Sequence, residues 1–288
     1  MPAMNVVRDI AGTRAAVAAA RRSGRRIGCV PTMGYLHAGH IALLERARRD
    51  GTFVVVTIFV NPTQFGPQED FARYPRDEAG DLAKCQAAGA ELVFIPDVAE
   101  MYRPNAVTTV GVAGLTETLC GPCRPGHFAG VATVVAKLFN IVQPDVAYFG
   151  QKDAQQLAVI RRMVRDLDFP IEIVGCPTVR EPDGLALSSR NAYLSAEERP
   201  RALVLHRALC DAQARIAAGE RGVDEVVRQM RRIADEGRPT KIEYISVVDP
   251  DSLQIVRCID GPVLAALAVW FGRTRLIDNL LIEAARPK

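Results

Sequence analysis

The sequence predicts an α/β protein: a Rossmann-like, mostly parallel sheet with helices on both faces, followed by a smaller α+β domain. Three observations predict it. Up to about residue 176, short β-rich runs alternate with stretches of helical periodicity, the pattern of strands joined through helices. The runs are short and largely apolar, as strands covered on both faces are. Past residue 196 the order changes to helices and then strands, which marks a second unit. The boundary is placed at 178, giving domains over 1–178 and 179–288.

The first strand is expected over 27–30 and runs into a Pro-, Gly- and His-containing loop. A helix over 40–49 follows, in which Ile41, Leu44 and Ala47 at three-residue spacing form an apolar stripe for a sheet. Residues 53–60 read as the next strand, ended by Asn61-Pro62. A helix over 77–88, a strand over 92–95, a helix over 129–142, a strand over 146–149, a helix over 154–166 and a strand over 171–174 continue the alternation. Residues 177–194 read as loop, with Pro182, Asp183, Gly184 and a Ser-Ser pair. Helices over 196–218 and 223–234 and strands over 242–248, 263–271 and 275–282 complete the chain.

At 288 residues and 49% hydrophobic, the chain can bury one large core or two smaller ones. The 36 basic and 33 acidic residues leave a net charge of +3, too balanced to point to nucleic acid or a membrane surface. The longest apolar stretches, 53–60 and 263–271, are too short to span a bilayer. The first residues lack a basic-then-apolar export pattern, so a cytoplasmic location is expected. Seven scattered Cys then read as free thiols.

Chemistry points first to Pro31-Thr-Met33-Gly34-Tyr35-Leu36-His37-Ala38-Gly39-His40, after a strand and opening a helix. His37 and His40, three apart, share a helix face beside free backbone N–H groups and the positive end of the dipole. Gly34 and Gly39 permit a tight turn and close backbone approach. Such a corner binds phosphate in open α/β sheets; two exposed imidazoles on a first turn are the plainer alternative. Neither Gly-x-Gly-x-x-Gly nor Gly-x-x-x-x-Gly-Lys occurs, so a bound nucleotide would use this His corner. Gln64, in the loop closing the second strand, offers a donor and an acceptor to a hydroxyl or carboxylate, or is a solvated amide. Gly150-Gln151-Lys152-Asp153 precedes Gln156 at another strand–helix corner. There Asp153 suits an N-cap, and Lys152 opposes the helix dipole unless an anion shares the site. Leu187-Ser188-Ser189-Arg190 offers hydroxyls and a guanidinium to a phosphate, or is a plain loop. Cys120 and Cys123, with His127, lack a fourth ligand and read as incidental thiols. Asp81 reads as a solvated helix carboxylate.

The motifs PTMGYLHAGH, FVNPTQF, YPRD, RPGHFAGV, FGQKDAQQ and ALSSRNAYLS, in that order over residues 31–195, resemble the pantothenate synthetase (pantoate–β-alanine ligase) family. IEYISVVDPDSL and TRLIDNLLI are similar to that family's second domain. The resemblance implies a ligase that joins (R)-pantoate to β-alanine through a pantoyl adenylate, with ATP as co-substrate, Mg2+ as cofactor, and AMP and pyrophosphate released. It implies an ATP site lined by Met33, Gly34, Tyr35, Leu36, His37, Ala38, Gly39, His40, Gly150, Gln151, Lys152, Asp153, Val179 and Leu187. His40 would be the proton donor, with His37 and Lys152 stabilising charge and Ser188, Ser189 and Arg190 gripping phosphate. Gln64 and Gln156 would hold pantoate, Asp81 would be the carboxylate nearest the metal, and the smaller domain would act as a lid on a homodimer. Thr63 and Leu187 stand where the family more often has Met. A nucleotidyltransferase on the same fold and a tRNA-binding module remain as rivals, separated by AMP release and by tRNA binding.

Overall fold

In the computed structural model, which describes residues 4–67 and 69–284, six strands form one sheet. They are β1 (Asn5–Val7), β2 (Ile27–Thr32), β3 (Phe53–Ile58), β4 (Leu92–Phe94), β5 (Val146–Gly150) and β6 (Glu172–Cys176). Their order is β1-β4-β3-β2-β5-β6, and every pairing is parallel. The helices between them are α1 (Ile10–Arg22), α2 (Ala38–Arg49), α3 (Glu78–Ala88), the single turn α4 (Val98–Met101), α5 (His127–Val142) and α6 (Ala154–Asp166). On one face Leu43, Leu44 and Ala47 of α2 and Cys85 and Ala88 of α3 pack on Val30, Val54, Val56, Val93 and Tyr148. On the other, α1 and α5 pack on each other and on β2. The parallel sheet between helical layers is the expected one.

β2 is central, and the chain order reverses beside it, between β2 and β5. These strands pair only at Gly28–Val146 and Cys29–Ala147. Past Cys29 they part, whereas β2 stays paired with β3 as far as Thr32–Ile58. Thr32 accepts from Phe59 on the β3 side, so the alternation of a parallel ladder turns Pro31 toward β5. Pro31 has no N–H to give, and the parted ladder asks for none. Ligands of open α/β sheets bind at this reversal, outside the carboxyl ends of the strands.

The remaining elements are the turn α7 (Glu198–Arg201), α8 (Val204–Ala217), α9 (Val223–Glu236), β7 (Lys241–Val248), β8 (Val263–Phe271) and β9 (Thr274–Ile282). The last three form an antiparallel sheet, with β9 at one edge. Leu205, Leu209 and Ala212 of α8, Val226 and Met230 of α9, and Leu267, Val269 and Phe271 of β8 share one core.

The chain divides into two units. One holds the residues up to Val112, Arg124–Gln151 and Val159–Pro177; the other holds Ala113–Cys123, Lys152–Ala158 and the chain from Thr178 on. A single cut at 178 thus omits two short segments that belong with the second unit. Two further features differ from expectation. β1 and α1 have no counterpart in the sequence reading, because β1 is a three-residue strand and the buried stripe of α1 is Thr13, Val17 and Ala20, too weak a hydrophobic period to stand out. The single helix over 196–218 is broken: Pro200 offers no N–H, and i→i+3 bonds from Leu203 to Pro200 and from Leu205 to Ala202 separate α7 from α8. Residues 151–153 form a 3-10 turn directly ahead of α6, and Asp153 is its last residue.

Leu44 is fully buried between α2 and the sheet. Leu44→Ala should cost about 2–5 kcal/mol in urea unfolding with an unchanged m-value; a loss under about 1 kcal/mol would mean that α2 is not anchored by this stripe.

Candidate active site

The loop leaving β2 is held from outside. Gly34 and Tyr35 both adopt left-handed backbone, at φ 81° and 51°, a conformation that costs a non-glycine residue. Asp81, in the first turn of α3, meets this cost: its two carboxylate oxygens accept from Tyr35 N at 2.7 Å and Leu36 N at 2.6 Å. It is 1% exposed. The expectation of a solvated Asp81 is therefore corrected; the residue lies 45 positions from Leu36, and only the tertiary fold brings them together. A Cβ on Gly34 would meet Asp81 Oδ2 at 2.9 Å and Ile58 Cγ2 at 3.1 Å, so both space and backbone angle require glycine there.

The turn delivers His37 as N-cap of α2 in a reciprocal capping box. His37 Nδ1 accepts from Gly39 N at 3.1 Å, and His40 Nδ1 accepts from His37 N at 3.2 Å. With Nδ1 an acceptor in both neutral rings, the ring proton is on Nε2 in each. The rings lie 4.1 Å apart, centre to centre. Both imidazoles are thus half-buried N–H donors at a helix N-terminus, where backbone N–H groups and the dipole favour an anion.

Gln64 ends the 3-10 turn Pro62–Gln64 after β3 and is 8% exposed; the solvated-amide alternative does not hold. Its Oε1 accepts from Asn61 Nδ2 at 3.1 Å and its Nε2 donates to Met33 Sδ at 3.0 Å. These bonds fix which end is which and use one of two N–H groups and one of two lone pairs. Asn61 also donates to Gly130 O and accepts from Tyr102 Oη at 2.7 Å. Gly130 of α5 lies against the same turn, where a Cβ would come within 2.3 Å of Thr63 O. Behind Gln64 a polar chain runs outward. His127 Nδ1 donates to Gln64 O at 2.8 Å, Arg124 Nη1 donates to His127 Nε2 at 2.9 Å, and Arg124 forks onto Glu69 at 2.6 and 2.7 Å. Burial alone would raise the Glu69 carboxyl, but the hydrogen bonds and charge of Arg124 outweigh it and hold the group below its ordinary value. Asn61, Tyr102 and Glu69 receive no role in the sequence reading, which takes Asn61-Pro62 as a strand end; Arg124 and His127 stand there only within the motif RPGHFAGV, with His127 also weighed beside Cys120 and Cys123.

The other candidate residues, apart from Gly150 and Gln151, belong to the second unit. Lys152 lies 3.8 Å from Asp153 Oδ2, with its carbonyl receiving Asn279 Nδ2 at 2.6 Å. Gln156 is in the first turn of α6 and half-buried. Its neighbour Gln155 is the deeply buried amide: it accepts from Cys120 N and donates to the carbonyls of Leu115 and Thr118. Val179 and Leu187 pair across a hairpin, Leu187 N to Val179 O at 3.0 Å. Ser188 then caps the 3-10 turn Ser189–Tyr193, accepting from Arg190 N at 3.3 Å. Gly150 and Gln151 fall in the first unit, at and just past the end of β5. All seven cysteines are free. Cys120 is buried against Tyr244 Oη at 3.2 Å and Arg275 Nη2 at 3.3 Å, whereas Cys123 is exposed.

The pantoate–β-alanine ligase family model matches residues 5–281. The chain belongs to this family. It is 58% identical over 280 residues to pantothenate synthetase of Moorella thermoacetica, covering 97% of this chain and 99% of that one. The solved pantothenate synthetase of Thermus thermophilus is 51% identical, with a TM-score of 0.92 over 96% of this chain and 99% of that one. The pantoate–β-alanine ligase of Francisella tularensis, solved in complex with β-γ ATP and β-alanine, is 31% identical, with a TM-score of 0.80 over 97% and 98% of the two chains. Among the described residues no helix is long and apolar enough to cross a membrane.

Asp81→Asn replaces one acceptor oxygen with an N–H donor facing a backbone N–H. It should cost about 1–3 kcal/mol of stability and lower ATP turnover at least about tenfold by loosening the His loop. An active variant of normal stability would remove Asp81 from this role. Because the Glu69 carboxyl is lowered, its stabilisation is complete above about pH 4.5 and is lost as pH falls through the lowered value. Glu69→Gln should flatten that part of the acid unfolding curve; an unchanged slope would show that the Arg124 pair does not contribute.

Proposed function

We propose that this chain forms the amide between pantoate and β-alanine in two steps on ATP. Enzymes of the pantoate–β-alanine ligase family join these two substrates, and the carrying observation is the His pair: two oriented Nε2 donors on a helix N-terminus, at the reversal point of a parallel sheet. In the first step a pantoate carboxylate oxygen attacks the α-phosphorus of ATP; that P–O bond forms, the bridging P–O bond breaks, and pyrophosphate leaves. In the second the β-alanine amine attacks the acyl carbon, the C–O bond to AMP breaks, and the amine gives up a proton. Both steps need positioning and charge stabilisation more than a protein nucleophile.

His40 and His37 would donate from Nε2 to phosphate oxygens as charge develops there, with His40 the proton donor. Met33, Gly34, Tyr35, Leu36, Ala38 and Gly39 would line the nucleotide with Gly150, Gln151, Asp153, Val179 and Leu187. Lys152 would neutralise phosphate charge, and Ser188, Ser189 and Arg190 would hold the departing pyrophosphate. The unused N–H and lone pair of Gln64 suit a hydroxyl and carboxylate of pantoate, with Gln156 as the second holder. Asp81 does not fit a metal ligand, since both its oxygens already bind backbone N–H groups. Among the described residues no three His, Cys, Asp or Glu side chains are grouped to hold a metal. Mg2+ would therefore be carried on phosphate oxygens and water rather than in a protein cage. A homodimer is proposed on the family resemblance, and a cytoplasmic setting accords with the free thiols.

The deciding experiment measures AMP release with ATP, Mg2+, pantoate and β-alanine, omitting each in turn. AMP and pantothenate should appear only with all four; an adenylylated product without AMP would point to a nucleotidyltransferase. His40→Ala and Lys152→Ala should lose at least about 100-fold in kcat and fold normally, whereas Gln64→Ala should raise the KM for pantoate. Chelation of Mg2+ should stop AMP release without lowering the melting temperature of the free protein. A lowered melting temperature would reveal a protein-held metal.

A further inference from the structure

β9 carries two adjacent polar residues where an edge strand would ordinarily alternate apolar and exposed. Leu276 and Ile282 belong to the core of the second unit and Leu280 packs against it. Asp278 therefore falls on the core-facing side of the strand. It is 3% exposed, and Asn279, on the opposite face, is 8% exposed. A buried carboxylate is costly, and a buried ion pair replaced by apolar residues often leaves a fold as stable or more so. The fold alone does not explain Asp278.

Each residue reaches one of the segments assigned above to phosphate. Arg180 forks onto Asp278 at 2.6 and 2.9 Å and also donates to Gly184 O at 3.1 Å. Arg180 and Ala186 bridge the hairpin that pairs Val179 with Leu187, and Ser188 is the next residue. Asn191, past the phosphate residues, donates back to Ala186 O at 3.1 Å. On the other face, Asn279 Nδ2 donates to the Lys152 carbonyl at 2.6 Å. β9 is an edge strand and packs against the 3-10 turn that carries Ser189 and Arg190, so one strand holds both segments.

We propose that Asp278 and Asn279 are positioning residues for the ligation: Asn279 sets Lys152, and Asp278, through Arg180, sets Ser188, Ser189 and Arg190. The inference rests on the phosphate roles proposed above. The test is kcat/KM for ATP, by AMP release, with melting temperatures for every variant. Asn279→Ala should lose about 10- to 100-fold, and adding it to Lys152→Ala should cost nothing more, because both act at one point. Independent, multiplying losses, or an unchanged Asn279→Ala, would overturn the Asn279 arm; Asn279→Ser serves the same cycle should the alanine variant not fold. Arg180→Met with Asp278→Leu should keep or raise the melting temperature yet lose about 10- to 100-fold in kcat/KM. Activity that merely follows stability would overturn the Asp278 arm. If Lys152→Ala itself turns over ATP normally, the phosphate role of Lys152 fails and the Asn279 arm with it. A loss in Lys152→Ala with none in Asn279→Ala overturns only the positioning.

Discussion

Two hydrogen bonds from the backbone of Tyr35 and Leu36 to the Asp81 carboxylate fix the geometry on which the His corner depends. The loop leaving β2 has to turn within a few residues and present a helix N-terminus, and it does so through two consecutive left-handed residues, one of them a tyrosine. Such a turn is not self-supporting. A buried carboxylate with both oxygens satisfied is strong enough to hold it, and the capping box of α2 then fixes each imidazole by its Nδ1. The placing of both imidazoles thus follows from a residue on another helix.

The same logic recurs at Gln64. A buried amide can face two ways, and Asn61 and Met33 leave Gln64 one orientation. Tyr102, after α4, and Gly130 and His127, both on α5, hold that arrangement from two other segments. Buried polar groups are tolerated here because each finds a partner. β2 and β5 part past Cys29, at a position where Pro31 makes the absent ladder bond no loss.

In the second unit, a short antiparallel sheet supports long irregular segments. The hairpin around Gly184 anchors Leu185 in the core, and its polar side is held by ion pairs such as Arg199 with Glu181 and Asp183. Arg275 pairs with Glu243, which also accepts from Trp270. Burial alone would raise the Glu243 carboxyl, and these two donors hold it below its ordinary value. Burial pushes the neighbouring Tyr244 hydroxyl well up, so beside Cys120 it stays a neutral phenol. Cys29 and Cys85 are pushed up to about 12 by burial and are inert core residues.

Much of this protein is legible in its sequence, because its fold is written in local pattern. The helix and strand alternation, and the places of the His-bearing corner and the Gln64 loop along the chain, are marked by near neighbours in the sequence. The reading failed where burial was carried by weak signals, as in α1 with Thr13, Val17 and Ala20, or where one proline divided a periodic run. The tertiary structure alone decided what depends on residues far apart in sequence: that Asp81 is buried and builds the loop, that Glu69, Arg124 and His127 stand behind Gln64, and that β9 reaches Lys152 and the Ser188 hairpin. Hydrophobic periodicity reports which face of an element is buried. It carries no record of which polar partner will be waiting there, because the cost of burying a charge is settled only by the atoms the completed fold brings within hydrogen-bonding distance.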